Sequence, residues 1–227
     1  MKKKELIIIG AGNSTLEIID IIEDINYQNI DKIKVIRILD DDKKLKNKHL
    51  NNIPILGQIK KISKFKNAYF FLGIFSYKNR FLRNKIIMNL KKFKKRFINI
   101  IHPNSLISKK ANIGYGCLIS NNVNIYHGCK LGSFTTISPS ATLAPFVKID
   151  NNCFVGDSVV ISYKSRIKKN SYMGFHSGLS ENVKIAEGSR VLPYTLVSKN
   201  FKKKAGVIFG LPARLISIDR QENEKKK

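Results

Sequence analysis

The chain is poor in cysteine, in acid and in long apolar runs. Three cysteines in 227 residues cannot build a disulfide framework, so cohesion must come from a packed core, and nothing points to an oxidising compartment. No stretch approaches the 18 apolar residues of a membrane span. The start, Met1 to Lys4 and then Leu6 to Ile9, has too short an apolar part for a secretory signal and is interrupted by Glu5, Asn13 and Glu17. A cytoplasmic protein without a membrane span is the expectation. Acidic residues number 16 against 42 Lys and Arg, a formal net charge of +26. Such an excess draws anions of every kind, including nucleic acid, acidic membrane surfaces and phosphorylated metabolites, and does not choose among them. The lysines lie scattered through the chain, with clusters at Lys2 to Lys4, Lys91 to Lys95, Lys202 to Lys204 and Lys225 to Lys227, which fits an Ile-, Lys- and Asn-rich composition better than a dedicated polyanion site. No basic-aromatic platform for nucleic acid is recognisable, so no specific nucleic-acid partner is expected.

What the chain has is a period. From Ile107 to Val197 every sixth residue is aliphatic: Ile107, Ile113, Ile119, Ile125, Leu131, Ile137 and on through Ile185, Val191 and Val197, with Met173 among them. Four residues after each comes a small or compact one, from Ala111, Cys117 and Val123 to Ser189 and Thr195. A helix repeats at 3.6 and a strand at 2, so a period of six needs short strands joined by tight bends. Fixed-period self-similarity marks a solenoid whose coils bury their apolar edges on one another. Three hexapeptides make one 18-residue coil of a triangular prism, with the aliphatic residue at each inner corner and the small one where space is shortest. Residues 18 apart then share a column. Gly114, Gly116, Asn121, Asn122, Gly128, Gly132, Asn151, Asn152, Gly156, Asn170 and Gly174 fall between the core positions and are expected to supply left-handed bends. All three cysteines occupy the small inward slot and read as buried filler. Nine aromatics avoid both core slots (Tyr115, Tyr126, Phe134, Phe146, Phe154, Tyr163, Tyr172, Phe175 and Tyr194) and are expected to point outward, which argues for burial in an oligomer, and a three-sided prism suits three-fold packing.

The first 100 residues read differently. Leu6 to Ile9 is a strand run, followed by Gly10-Ala11-Gly12 and a helical pattern through Leu16, Ile18, Ile19, Ile22 and Ile25. A second strand run, Ile33 to Leu39, ends in Asp40, Asp41 and Asp42; a third, Ala68 to Ile74, precedes a basic helix from Phe81 to about Lys95. Alternation of strands and helices implies a small parallel α/β sheet. Gly10 and Gly12, between a strand and a helix, could cradle a phosphate, although the third glycine of a dinucleotide fingerprint is replaced by Thr15. Asp40 and Asp41 stand at a strand end, where they could bind a base or ribose or simply form a solvated turn. Three domains are expected: an α/β domain over 1–100, a β-helix over 101–200, and an extension with a basic tail over 201–227.

The runs Ile8-Ile9-Gly10-Ala11-Gly12, Ile38-Leu39-Asp40-Asp41-Asp42, Ile53-Pro54-Ile55-Leu56-Gly57, Ile100-Ile101-His102-Pro103, the hexads, and Gly210-Leu211-Pro212-Ala213-Arg214 together resemble the bacterial two-domain sugar acetyltransferases, which include sialic acid O-acetyltransferases and N-acetyltransferases of UDP-4-amino-sugars. The resemblance covers residues 1 to about 215. It implies a Rossmann-like N-terminal domain, a left-handed parallel β-helix, a homotrimer, acetyl-CoA as co-substrate, no metal, and a sugar or nucleotide-sugar acceptor in surface-glycan biosynthesis. The family's catalytic histidine maps onto His127. Two residues past an inner corner, it belongs on the outer surface, where a neutral imidazole can accept the proton of an attacking amine or hydroxyl. His102 is expected to have a structural place in the first coil; His49 and His176 have no supporting pattern. Carried over column by column, the resemblance places the CoA thiol end near Pro145 and Tyr163 and its phosphates near scattered lysines or Arg214, and leaves Gly10, Gly12, Ser14, Asp40 and Asp41 for the acceptor. The chain departs from the family at Gly128, where an acid is usual, at Thr136, where many members have a second histidine, at Pro145, where a glycine N–H faces the thioester oxygen, at Ser14, which replaces a histidine, and at Ile74-Phe75-Ser76. These departures keep open a second reading, a catalytically silent trimeric binding or scaffold subunit.

Overall fold

A computed structural model describes residues 3–75 and 80–219. Lys2, Ser76 and the Lys225 to Lys227 tail lie outside the described residues. The chain divides into two compact units, the first ending at Pro103 and the second beginning at Asn104.

In the first unit, β1 (Lys4–Ile9), β2 (Ile33–Leu39) and a strand at Tyr69–Leu72 form a parallel three-stranded sheet with β1 in the centre. Leu6, Ile7, Ile8 and Ile9 are all fully buried, so this strand is a continuous apolar run instead of an alternating one, as a strand covered on both faces must be. Helix α1 (Ser14–Tyr27) buries Ile18, Ile19, Ile22 and Ile25, the face that the 3.6-residue period sets out. The basic helix expected to reach Lys95 stops earlier: α2 spans Arg80–Asn89 and a 3₁₀ segment covers Lys91–Arg96. Leu90 is buried and Phe93 packs edge-on against Phe70 at 5.7 Å. Those two anchors are three residues apart, which matches a 3₁₀ turn, and the lysines between them supply nothing for an α-helix to bury.

In the second unit each hexapeptide contributes a two-residue strand, and each strand pairs in parallel with the strand 18 residues away, as Asn124 with Thr142 and Ile125 with Leu143. Three parallel sheets result, one per side of the prism. Inner aliphatics from Ile119 to Val197 are buried, while Ile107 and Ile113, in the first coil, are half-buried. Each fully buried Ile, Leu or Val contributes about 1.5–3 kcal/mol of transfer free energy, so the repeat itself is the core. The outward residue of each strand distinguishes the three sides. One side is neutral and mostly apolar, with Leu106, Asn124, Thr142, Val160, Gly178 and Leu196; a second is basic, with Asn112, Lys130, Lys148, Arg166 and Lys184; a third carries Leu118, Thr136, Phe154, Tyr172 and Arg190.

Every sixth residue from Gly116 to Tyr194 has a positive φ. These are the prism corners, and at each of them from Phe134 to Tyr194 the backbone N–H donates to the carbonyl 19 residues earlier, as Phe146 to His127. Glycine and asparagine supply only part of the series: Phe134, Ser140, Phe146, Ser158, Lys164, His176 and Tyr194 are held left-handed too. The ladder therefore overrides a residue preference of roughly 1–2 kcal/mol at each such corner. Conversely, Gly114, Asn121, Gly132, Asn151, Gly156 and Gly174, expected to be left-handed, are not. Gly132 and Gly174 are small for another reason: a Cβ there would lie 2.4 Å and 2.5 Å from backbone nitrogen of the next coil. Of the nine aromatics expected outside, Phe134 is the exception, 5 % exposed and packed edge-on to Tyr115 at 5.3 Å. After residue 200, Gly206–Phe209 pairs in parallel with Arg190–Val191 and antiparallel with Arg214–Ile218, so the extension continues the third side's sheet.

Candidate functional site

His127 sits on the corner between the neutral and the basic side, two residues past buried Ile125 and exposed beside Tyr126. Its backbone is fixed by the carbonyl bond from Phe146 N–H at 2.9 Å, but no hydrogen bond restrains its imidazole among the described residues. The ring's neighbour is Phe146, edge-on at 5.5 Å and 72°; Phe146 in turn stands edge-on to Tyr163 at 5.8 Å. His127, Phe146 and Tyr163 thus form an aromatic stack climbing the corner through three coils. Gly128 has φ +70°, and a Cβ on it would lie 2.5 Å from the Phe146 ring. Phe146 therefore takes the space that an acidic side chain at 128 would need. Sequence reasoning placed Phe146 on the outside without giving it a role; the signal was there, because 146 is one coil above 128.

Pro145 shares His127's column and lacks an N–H. The ladder does not miss it: the neighbours Ala144 and Phe146 donate to Ile161 and His127, the Pro145 carbonyl accepts from Lys164 N–H at 3.1 Å, and no donor is required of the residue itself. Pro139 and Pro193 occupy the equivalent slot on another corner, between Ser138 and Ser140 and between Leu192 and Tyr194. Proline is thus structurally neutral here, while any donor to a thioester oxygen must come from another group. Tyr163 is 37 % exposed at the same corner, one coil further. Arg214, by contrast, is exposed on the strand that extends the third side, which does not adjoin this corner, so a single chain does not bring it to Pro145 and Tyr163. Thr136 is buried on that third side as well. Cys129, two residues from His127, faces inward; burial pushes its thiol pKa up and its S–H donates to the Ala144 carbonyl at 3.2 Å, so it cannot pair with His127 as a nucleophile.

In the N-terminal unit the residues expected to bind an acceptor serve the backbone. Gly10 has φ +104°, and the loop closes on itself: Thr15 Oγ1 donates to the Gly10 carbonyl at 2.7 Å and Ser14 Oγ to the Gly73 carbonyl at 2.7 Å. Gly12 has open space around the position of a Cβ. Asp40 accepts from Ala11 N–H and Asp42 N–H, both at 2.8 Å, and Asp41 from Ile59 N–H at 2.8 Å. Asp40 and Asp41 nevertheless rim a cleft of about 410 Å³ with Leu56, Gly57, Gln58 and Lys61. His102 is structural, but in the N-terminal unit and not in the first coil, 3.0 Å from Asp24 and 9 % exposed. His49 is exposed, and His176 stacks on Tyr194 at 5.3 Å. Among the described residues no group of three His, Cys, Asp or Glu could hold a metal ion, and no helix is long and apolar enough to cross a membrane.

Comparison with known proteins accords with this geometry. Residues 5–90 match the model of the PglD N-terminal domain, and residues 101–208 that of the GMPPB C-terminal domain. The fold is that of the hexapeptide-repeat sugar acetyltransferases. A mutant of perosamine N-acetyltransferase from Caulobacter crescentus, in complex with CoA and GDP-perosamine, superposes with a TM-score of 0.80 at 17 % identity over 94 % of this chain and 97 % of that one. The acetyltransferase domain of PglB from Neisseria gonorrhoeae FA1090, in complex with acetyl coenzyme A, gives 0.80 at 17 % identity over 95 % and 100 %, and WeeI from Acinetobacter baumannii AYE gives 0.79 at 19 % over 94 % and 100 %. No curated protein matches the chain.

Proposed function

We propose that this hexapeptide-repeat protein is an acetyl-CoA-dependent acetyltransferase acting on an amino or hydroxyl group of a sugar or nucleotide-sugar in surface-glycan biosynthesis. The observation that carries the reading is His127: an exposed imidazole, unrestrained by hydrogen bonds among the described residues, on the corner where an aromatic stack meets the uncharged side. The fold shared with CoA-bound and nucleotide-sugar-bound acetyltransferases supports it.

In this reaction the neutral imidazole accepts the proton of the acceptor's amine or hydroxyl as that atom attacks the thioester carbonyl. Collapse of the tetrahedral intermediate breaks the C–S bond, and the departing CoA thiolate takes the proton from the imidazolium, leaving the acetylated sugar and free CoA. Phe146, itself backed by Tyr163, covers one edge of the ring. Pro145 offers the intermediate no N–H, and loss of one such donor costs on the order of 10²–10³ in rate, so this chain is expected to be slow unless another group donates. Three copies meeting through the uncharged side, with its exposed Leu106, Val160 and Leu196, would place His127 at a subunit boundary and let a neighbour's Arg214 approach the donor. A cytoplasmic location fits this chemistry.

The test is calorimetric binding of acetyl-CoA against ADP, followed by an acceptor screen with the wild type and His127→Ala. Saturable binding preferring acetyl-CoA, with turnover lost in the variant, is expected. Binding without turnover on any acceptor would favour a silent scaffold subunit, which the missing N–H of Pro145 also favours; retained turnover in His127→Ala would defeat the assignment of the base.

A further inference from the structure

The charge that looks scattered along the sequence is sorted by the fold. Lys and Arg make up 42 of 227 residues, so composition alone would put about one of them among any five outward strand positions. The basic side has four in five, Lys130, Lys148, Arg166 and Lys184, and the neutral side has none. These four are consecutive partners in the parallel ladder, Lys130 with Lys148, Lys148 with Arg166 and Arg166 with Lys184. Neighbouring strands lie about 4.8 Å apart, and like charges directly opposite one another destabilise a sheet. Little on this side offsets the repulsion. Asp150 pairs with Arg166 at 3.1 Å and approaches Lys168 at 3.8 Å, while Lys130, Lys148 and Lys184 are exposed with no ion pair among the described residues. The same repulsion argues that two copies of the chain do not meet through this side.

A register-locked column of cations needs an anionic partner. We propose that the basic side docks the protein onto an anionic lipid bilayer surface. The outward strand positions carry no aromatic ring, and the rings on the bordering corner, Phe146 and Tyr163, stand edge-on to one another instead of offering parallel faces on which successive bases of single-stranded nucleic acid could stack. They also form a sheet face with no projecting element to enter a duplex groove. A bilayer presents mobile anionic headgroups in a plane, which can rearrange to match fixed cations, and each Lys or Arg held within a Debye length adds to the attraction. The inference does not require acetyl transfer, because none of these four residues handles the proton at His127.

The experiment is co-sedimentation of the full-length protein with phosphatidylcholine vesicles, with and without phosphatidylglycerol, at low and high salt. The wild type is expected on the anionic vesicles only, and less at high salt. A triple variant, Lys130→Gln, Lys148→Gln and Lys184→Gln, is expected to lower the partition coefficient on the order of a hundredfold. Because the protein carries a net charge of +26, the control is a charge-matched variant on the N-terminal unit, Lys91→Gln, Lys94→Gln and Lys95→Gln, expected to retain most of the binding. Equal losses in both variants would reduce the effect to net charge and overturn the proposal. So would preferential binding of RNA or duplex DNA over vesicles that is lost in the basic-side variant, or displacement from vesicles by CoA, which would assign the column to the donor. Folding is not at risk, since removing like charges from the ladder is expected to hold or raise the melting temperature of the triple variant.

Discussion

In the N-terminal unit Asp40, Asp41, Ser14 and Thr15 each turn back onto the chain's own backbone, whereas in the β-helix unit His127 makes no side-chain hydrogen bond among the described residues. The difference follows from how each unit satisfies its peptide groups. A three-stranded sheet with connecting loops leaves N–H and C=O groups stranded at strand ends and helix starts, and nearby polar side chains are recruited to meet them. The coils of the β-helix satisfy one another mainly through the backbone ladder; in His127's corner slot Asn151 Oδ1 accepts from Ser133 N–H and Ser133 Oγ from Tyr115 N–H, but His127 itself has no such duty among the described residues. Polar residues at similar places along the sequence thus carry different prior odds of being functional, depending on whether the local backbone needs them.

The sharpest way to break this comparison is His127→Ala. Turnover in a coupled CoA-release assay should fall by about 10²–10⁴, with the melting temperature unchanged; a drop in melting would mean the corner histidine has a structural duty after all. Next in size, Asp40→Ala should cost about 1–3 kcal/mol of stability, because two backbone N–H donors lose their acceptor, and urea unfolding followed by far-UV circular dichroism would report it. An unchanged midpoint would return Asp40 to the list of free ligands. Gly128→Asp should destabilise through its left-handed φ and its collision with Phe146, and the loss should shrink in a Phe146→Ala background. A double-mutant cycle measuring about 0.5–3 kcal/mol of coupling between the two sites would support the exchange of carboxylate for ring. Smallest, Ser140→Gly at φ +60° should stabilise the β-helix by up to about 1 kcal/mol, a shift in thermal midpoint alone.

Much of the fold was legible. The hexad gave the prism, its inner corners and its columns, because a strict period leaves one arrangement that buries every sixth residue. Strand runs in the first unit fell within a few residues of their observed limits, Ile33–Leu39 at both ends. What escaped was what lies between columns. The left-handed corners at Phe134, Phe146 and Tyr194 are imposed by hydrogen bonds from the coil below, which no local propensity reveals. The close packing that requires Gly132 and Gly174 was misread as conformational freedom for the same reason. Within the candidate site, His127 and its column could be placed from spacing, but the cover given by Phe146 could not, nor could the use of Asp40 and Ser14 as loop closures.

One feature of the coil bears on how such a chain changes over time. At each corner a single residue, the one occupied by Pro139, Pro145, Pro193 or His127, contributes no donor to the ladder, and its side chain points away from the core. Where the side chain accepts a backbone N–H, as at Ser133 and Asn151, substitution is tied to folding; at His127 and the prolines it is not, so the column through 127 and 145 is where a lineage can try new side chains at little risk to the scaffold. Deep mutational scanning should show tolerance rising and falling with a period of six, and the most permissive sites should coincide with those nearest the chemistry.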